Sequence, residues 1–136
     1  MLIVDAGPLV ANVDASDDAH EACADLLRNH PGPLIVPQLV ITEVVQLLGS
    51  RAGPEREVRF LANLDGGVLF AEPVDAADWL RIAELVWRYQ DMPLGAVDAS
   101  VVAAAERLGV REVATLDHRH FSVVRPRHVD ALTLLP

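Results

Sequence analysis

The sequence lacks lysine, has one cysteine and has no long apolar segment, and each of these features excludes a class of protein. All 11 basic residues are arginine, which excludes mechanisms that need an active-site lysine, such as that of the phosphate-accepting receiver domains. Cys23 cannot form an internal disulfide, which suits a reducing cytoplasm. No apolar run approaches the ~20 residues that span a bilayer. We therefore expect a cytoplasmic protein without a membrane span.

Several catalytic and targeting signatures are also missing. The sequence has no G-x-S-x-G nucleophile elbow, no G-x-x-x-x-G-K-[ST] phosphate loop and no G-x-G-x-x-G dinucleotide fingerprint. The start, residues 1–5, has no basic region and reaches an acid at once, so we do not expect a signal peptide. Serine hydrolases, P-loop enzymes and dinucleotide-binding enzymes are thus disfavoured.

The composition is that of a folded domain with an acidic balance. The chain has 136 residues, of which 51% are hydrophobic and 23% charged, and we expect one globular domain over residues 1–136. The net charge of −9 argues against nucleic-acid binding, unless bound cations offset some of the acids. The all-arginine basic set suits phosphate recognition, but it is equally explained by genomic composition.

Short apolar strands alternate with amphipathic helices, which predicts an α/β fold with a mainly parallel sheet covered on both faces. Asp18 and Glu21 have capping-box spacing, and Val58, Leu61 and Leu64 are expected to point inward. The predicted strands are 2–4, 34–36, 68–71, 113–116 and 132–135, and the predicted helices are 7–13, 16 to the break at 30–33, 38–48, 54–65, 79–90 and 96–108.

Four acids occupy positions where carboxylates are unusual. Asp5 and Asp117 each end a predicted apolar strand, and Glu43 and Asp98 lie on the inner side of predicted helices. Ligands of open α/β sheets bind at the carboxyl ends of the strands. Clustered carboxylates repel one another and raise one another's pKa, and a hard cation with oxygen ligands, Mg²⁺ or Mn²⁺, would compensate. The set therefore predicts a metal site.

Each acid has an ordinary explanation when it is taken alone. Asp5 could be a helix N-cap, Glu43 an exposed helical acid, Asp98 a favourable charge at a helix N-terminus, and Asp117 part of an Asx-turn. These alternatives stay open residue by residue, and only the common placement of the four favours a site.

Other polar and aromatic residues give weaker signals. His118 and His120 lack the third ligand of a zinc site and are interpreted as surface or substrate-side residues, not metal ligands. Thr115 could position a carboxylate, and turn chemistry accounts for Asp91 better than membership of the acid group. In a separate pattern, Trp79, Ala83 and Trp87 are spaced by four residues. This spacing predicts one face of a helix that is buried in the core or contacts a partner.

With these acids in order, the chain resembles the PIN-domain ribonucleases, specifically the VapC-type toxins of bacterial toxin–antitoxin pairs. The most specific stretches are 91–109, DMPLGAVDASVVAAAERLG, and 113–121, VATLDHRHF. Residues 3–5 and 42–44 match more loosely, and Ala6 stands where relatives often carry a small hydroxyl residue.

The resemblance implies a three-layer α/β/α fold and Mg²⁺- or Mn²⁺-dependent RNA cleavage. It also implies neutralisation by a small VapB-type antitoxin and a homodimer. By position, Asp5, Glu43, Asp98 and Asp117 match the catalytic, metal-binding quartet, with Asp5 and Asp98 expected to be the main ligands. The rival interpretation is a catalytically inactive PIN-like module that only binds a partner or RNA.

Overall fold

A five-stranded sheet covered by helices forms the protein, as seen in a computed structural model that describes residues 1–136. The elements in chain order are β1 (Leu2–Val4), α1 (Ala6–Val13), α2 (His20–Asn29), β2 (Leu34–Pro37), α3 (Gln38–Arg51), α4 (Pro54–Asp65), β3 (Phe70–Glu72), α5 (Asp78–Arg88), α6 (Ala96–Leu108), β4 (Glu112–Ala114), α7 (His118–Val123) and β5 (Thr133–Leu135).

The sheet has the strand order β3-β2-β1-β4-β5, and all four strand pairings are parallel. Strand β1 is central: Ile3 is in register with Ile35 of β2 on one side and with Val113 of β4 on the other. All residues of β1 and β2 are buried, as expected for strands covered on both faces. This confirms the predicted α/β/α architecture with a parallel sheet.

Helices pack in pairs beside the sheet, α1 with α2, α3 with α4 and α5 with α6. Helix α6 is the most deeply placed, with Ala99–Ala105 buried throughout, because its alanines and valines allow close approach to its neighbours. The helix ends at Gly109, which has a φ of 67° in the left-handed region, where glycine carries no Cβ penalty.

The structure corrects several details of the sequence prediction. Helix α3 continues through Gly49 to Arg51, because the burial of Leu48 offsets the cost of about 1 kcal/mol for a helical glycine. In α4 the inward residue is Phe60, whereas Val58 and Leu61 are exposed. Packing chooses one face of a helix that carries apolar residues on several sides.

The start of α2 also differs from the prediction. Helix α2 begins at His20 without a side-chain cap. Instead, Asp17 Oδ1 accepts the backbone N–H of Ala19 at 2.8 Å, so the expected capping box does not form.

Trp79 and Trp87 were expected in the core or on a partner surface. They are 53% and 74% exposed, which excludes the core and leaves the partner surface. The protein contains no helix with the length and apolar character that a membrane crossing requires.

Candidate active site

One open cavity of about 490 Å³ is lined by all four singled-out acids, together with Ala6, Gly7 and Leu116. Asp5 follows β1 and Asp117 follows β4, and these strands are neighbours in the sheet. Their carboxyl ends therefore meet at the same edge. Glu43 reaches the cavity from the middle of α3, and Asp98 from the first turn of α6.

A buried threonine connects the two strand-end acids. The Thr115 side chain is fully buried, and its hydroxyl donates to Asp5 Oδ2 at 2.9 Å. The hydroxyl oxygen of Thr115 in turn accepts the backbone N–H of Asp117 at 3.0 Å. Because the hydroxyl uses both its donor and an acceptor site, it fixes the Asp5 carboxylate relative to the Asp117 backbone. The sequence expectation for Thr115 as a positioning residue agrees with these contacts.

His120 contacts one of the cavity acids, Asp117, and its interpretation as a surface or substrate-side residue did not include this contact. Its Nδ1 contacts Asp117 Oδ2 at 2.5 Å, and its Nε2 lies 3.0 Å from the carbonyl oxygen of Met92. Its backbone N–H donates to Asp117 Oδ1, so Asp117 caps helix α7. The signal that could have identified His120 is its i+3 spacing from Asp117, which places it back over the acid once the segment is helical.

The cavity raises the pKa of three of its carboxyls. Burial is the main cause at Asp5, and burial followed by the charge of Asp5 raises the pKa of Glu43. The pKa of Asp98 rises to about 6 through burial and then through the charges of Asp5 and Asp117. Both causes disfavour the charged form, so the site is short of positive charge.

Asp117 behaves differently because it has a partner. Burial alone would raise its pKa, but hydrogen bonds from the side chain and backbone of His120 lower it below the ordinary value. The pKa of His120 is raised, chiefly by the hydrogen bond to Asp117 and then by the carbonyl of Met92. The two residues thus stabilise each other's charged forms.

No arginine forms an ion pair with any of the four acids. The arginine ion pairs lie elsewhere, for example between Arg81 and Glu106 at 2.8 Å and between Arg107 and Asp78 at 3.1 Å. Three carboxylates without an ion-pair partner and with raised pKa values, held in one cavity with Asp117, provide the oxygen donors that a hard divalent cation takes. The ligand atoms of Asp98, Asp117 and His120 all lie within 4.8 Å of one another, whereas Asp5 and Glu43 fall outside that tight group.

The remaining polar residues of interest do not line the cavity. Asp91 is exposed in the loop before α6. His118 is exposed, and its Nε2 lies 3.1 Å from the carbonyl of Thr115. Ser100 donates to the carbonyl of Val97 at 2.6 Å, which is a local bond within helix α6.

Comparison with known proteins places these features in a family. The PIN domain family matches residues 2–125. Ribonuclease VapC26 of Mycobacterium tuberculosis (strain ATCC 25618 / H37Rv) is 33% identical over 135 residues, covering 99% of this chain and 100% of that protein.

Solved structures share the fold. The crystal structure of Mycobacterium tuberculosis VapC20, described as a sarcin–ricin loop cleaving toxin, has a TM-score of 0.77 and 24% identity, covering 83% of this chain and 87% of that one. A chain of VapBC2 from Rickettsia felis, in a structure bound to a promoter DNA fragment, has a TM-score of 0.70 and 14% identity. The match covers 99% of this chain and 98% of that one. The chain therefore belongs to the PIN domain family, and within it to the VapC-type proteins.

Proposed function

We propose that this chain is a metal-dependent endoribonuclease toxin that hydrolyses RNA phosphodiester bonds and is neutralised by a cognate VapB-type antitoxin. The observation that carries the proposal is the cavity lined by Asp5, Glu43, Asp98 and Asp117 without an arginine counter-ion. The similar protein VapC26 is named a ribonuclease, which supports RNA as the substrate class.

The residues fit Mg²⁺ or Mn²⁺ by their chemistry, since both ions take carboxylate oxygens. A bound divalent cation lowers the pKa of water and offsets charge on the phosphate. In this chain, Thr115 holds the Asp5 carboxylate and the Asp117 backbone in one geometry. Asp98 contributes a carboxylate that is easily protonated without a cation, so cation binding and charge on Asp98 favour each other.

The direct test is cleavage of total cellular RNA by the purified protein, mapped with Mg²⁺, with Mn²⁺ and with EDTA. We expect cuts at defined positions with either metal and none with EDTA. Asp98→Asn should abolish cleavage, whereas Asp130→Asn, at an exposed acid in the loop before β5, should not. Specific RNA binding without any metal-dependent cleavage would instead favour the inactive RNA- or partner-binding module.

We place the antitoxin on the apolar groove between α1, α2 and α4. This cavity of about 450 Å³ has eight hydrophobic residues among its 13 lining residues, and Arg28, Arg56 and Arg59 also line it. From the sequence alone, the expected groove involves the helices near Val40, Val44 and Leu47 and the helix after Pro54. Val40 and Val44 are fully buried in the core, whereas the helix after Pro54, α4, does line this cavity. An amphipathic segment with apolar anchors and flanking acids complements this surface.

The groove assignment can be tested separately from the nuclease. Arg59→Glu should weaken binding of the antitoxin that co-purifies from the native host, and the weakening should shrink as salt rises. The matched control is Arg111→Glu, at an exposed arginine between α6 and β4. Equal binding by both variants would remove the groove from the proposal but not the nuclease. A basic side chain of the antitoxin is expected to reach the acid cavity and suppress cleavage.

We further propose a homodimer that uses the outer face of α5, a single domain over residues 1–136, and a cytoplasmic location. Trp79, Leu80 and Trp87 form an exposed apolar stripe on this helix, and large apolar stripes usually mark contact surfaces. An RNA substrate and a single buried cysteine both suit the cytoplasm.

A further inference from the structure

We infer that His120 supplies a nitrogen ligand to a cation held jointly with Asp98 and Asp117, so that this position selects a first-row transition ion over Mg²⁺. The inference deepens the proposed function, since it rests on the same metal-dependent site. The sequence analysis interpreted the histidine as a surface or substrate-side residue and not as a metal ligand. The carboxylate quartet alone would give an all-oxygen site.

Proximity is the first observation. The ligand atoms of Asp98, Asp117 and His120 lie mutually within 4.8 Å, which is close enough for them to converge on one ion after small side-chain movements. The three residues come from different parts of the fold: Asp98 from the first turn of α6, Asp117 from the end of β4 and His120 from α7. Asp5 and Glu43 approach the same cavity from β1 and α3.

The orientation of the imidazole is the second observation. Nε2 faces the carbonyl oxygen of Met92 at 3.0 Å, so it must carry a proton to donate. A histidine that binds a metal almost always donates its other ring N–H to a carbonyl or carboxylate, which fixes the tautomer and the ring plane. In His120 this leaves Nδ1 as the nitrogen directed at the acid cavity.

The contact between Nδ1 and Asp117 is the third observation. Nδ1 lies 2.5 Å from Oδ2 of Asp117, so the ring presents this nitrogen to the same acids that would hold the ion. A cation bound by Asp98 and Asp117 would then have the Nδ1 lone pair as a further donor, which would give a mixed oxygen–nitrogen site.

Ligand chemistry gives the selectivity. Mg²⁺ prefers an all-oxygen shell, whereas imidazole nitrogen adds affinity for first-row transition ions. The position should therefore prefer Mn²⁺ to Mg²⁺ and Co²⁺ to Mn²⁺. Loss of a metal ligand or of its close supporting partner commonly weakens affinity by about 10- to 100-fold, so His120→Gln should lower Mn²⁺ affinity by about tenfold or more and Mg²⁺ affinity much less.

The deciding experiment is pulsed electron paramagnetic resonance of Mn²⁺ bound to the full chain without RNA. We expect echo modulation from a directly coordinated ¹⁴N nucleus, replaced by the ¹⁵N pattern when the protein is labelled with ¹⁵N-histidine. The modulation should vanish in His120→Gln and persist in His118→Gln, its exposed neighbour. Titration calorimetry with Mg²⁺ and Mn²⁺ gives the change in selectivity for the same variants.

The outcomes separate this inference from the proposed nuclease. Bound Mn²⁺ without nitrogen modulation in the unaltered protein, or modulation that survives His120→Gln, would overturn the role of His120 and leave a carboxylate-only metal site. The ¹⁵N measurement needs no substitution, so it shows whether a histidine coordinates the ion even if His120→Gln folds poorly. Modulation that persists in His118→Gln then indicates His120, whose ring contacts Asp117. Failure of any divalent cation to bind, combined with RNA cleavage in EDTA, would refute metal dependence itself.

Discussion

Replacing Asp98 by asparagine should stabilise the cation-free protein while removing its activity. Asp98 carries a pKa of about 6 instead of the ordinary 3.8, through burial and the charges of Asp5 and Asp117. At neutral pH the native state therefore contains a carboxylate that its surroundings disfavour. Asparagine keeps the size of the side chain and removes this charge.

The magnitude follows from the pKa difference. Each pKa unit corresponds to about 1.4 kcal/mol. A rise in pKa from 3.8 to about 6 therefore limits the gain in the free energy of unfolding to about 3 kcal/mol. Since Asp98 is only partly buried, solvent screening lowers the expected gain to about 1 to 2 kcal/mol. For a domain of this size, that gain raises the melting temperature by about 4–8 °C.

The stabilisation by Asp98→Asn should grow as pH rises. Because the folded-state pKa lies above the unfolded one, the native state gains stability from protonation below pH 3.8 and loses it as pH rises through about 6. The advantage of Asp98→Asn should thus be full at pH 7.5 and reduced to about one third near pH 4.5. Saturating Mn²⁺ should reverse the order at pH 7.5, since a ligand at 100 times its Kd adds about 2.7 kcal/mol to the protein that binds it.

Thermal unfolding followed by circular dichroism in EDTA, at pH 4.5 and 7.5 and again with Mn²⁺, measures all three effects. The matched control is Asp130→Asn, at an exposed acid outside the cavity, and it should match the unaltered protein throughout. An Asp98→Asn protein that is less stable at pH 7.5, or whose gain is the same at both pH values, would show that charge repulsion does not govern the site.

Three further predictions concern other residues. Thr115→Val should destabilise the protein by about 1–3 kcal/mol in chemical denaturation and weaken metal binding, because it leaves Asp5 without its hydroxyl donor. Thr115→Ser keeps a hydroxyl and should retain most of the stability and of the metal affinity. Gly109→Ala should cost about 1 kcal/mol in the same assay, because φ is 67° there, and an unchanged midpoint would contradict the assigned helix end. If the protein is the proposed homodimer, Trp87→Glu should turn it into a monomer in light scattering. A dimer that survives Trp87→Glu combined with Trp79→Glu would place the interface elsewhere.

The fold could be predicted largely because short apolar runs and helix-ending residues are local signals. Strand β1 is three buried residues followed by an acid, and α6 ends at Gly109, where the sequence predicted it. The orientation of α4 could not be predicted: it has apolar residues on several sides, and only its packing against α3 buries Phe60 and leaves Val58 exposed.

The gathering of the acids could be predicted in part. The carboxyl ends of parallel strands share an edge, so Asp5 and Asp117 were expected near each other. That their strands are adjacent depends on the strand order, which the sequence does not specify. His120 escaped prediction because residues 118–121 were treated as a loop, whereas the short helix α7 turns its ring onto Asp117.

The central position of β1 has a consequence for synthesis on the ribosome. Asp5 and Thr115, which share a hydrogen bond at the site, are separated by 110 residues, and β1 pairs with β2 long before β4 has been made. Such long-range pairing forms late, because a long loop must close before its contacts contribute. A nascent chain shorter than about 117 residues lacks the fourth carboxylate of the cavity. If Asp117 has its proposed role in the site, cleavage can begin only when translation of the chain is nearly complete.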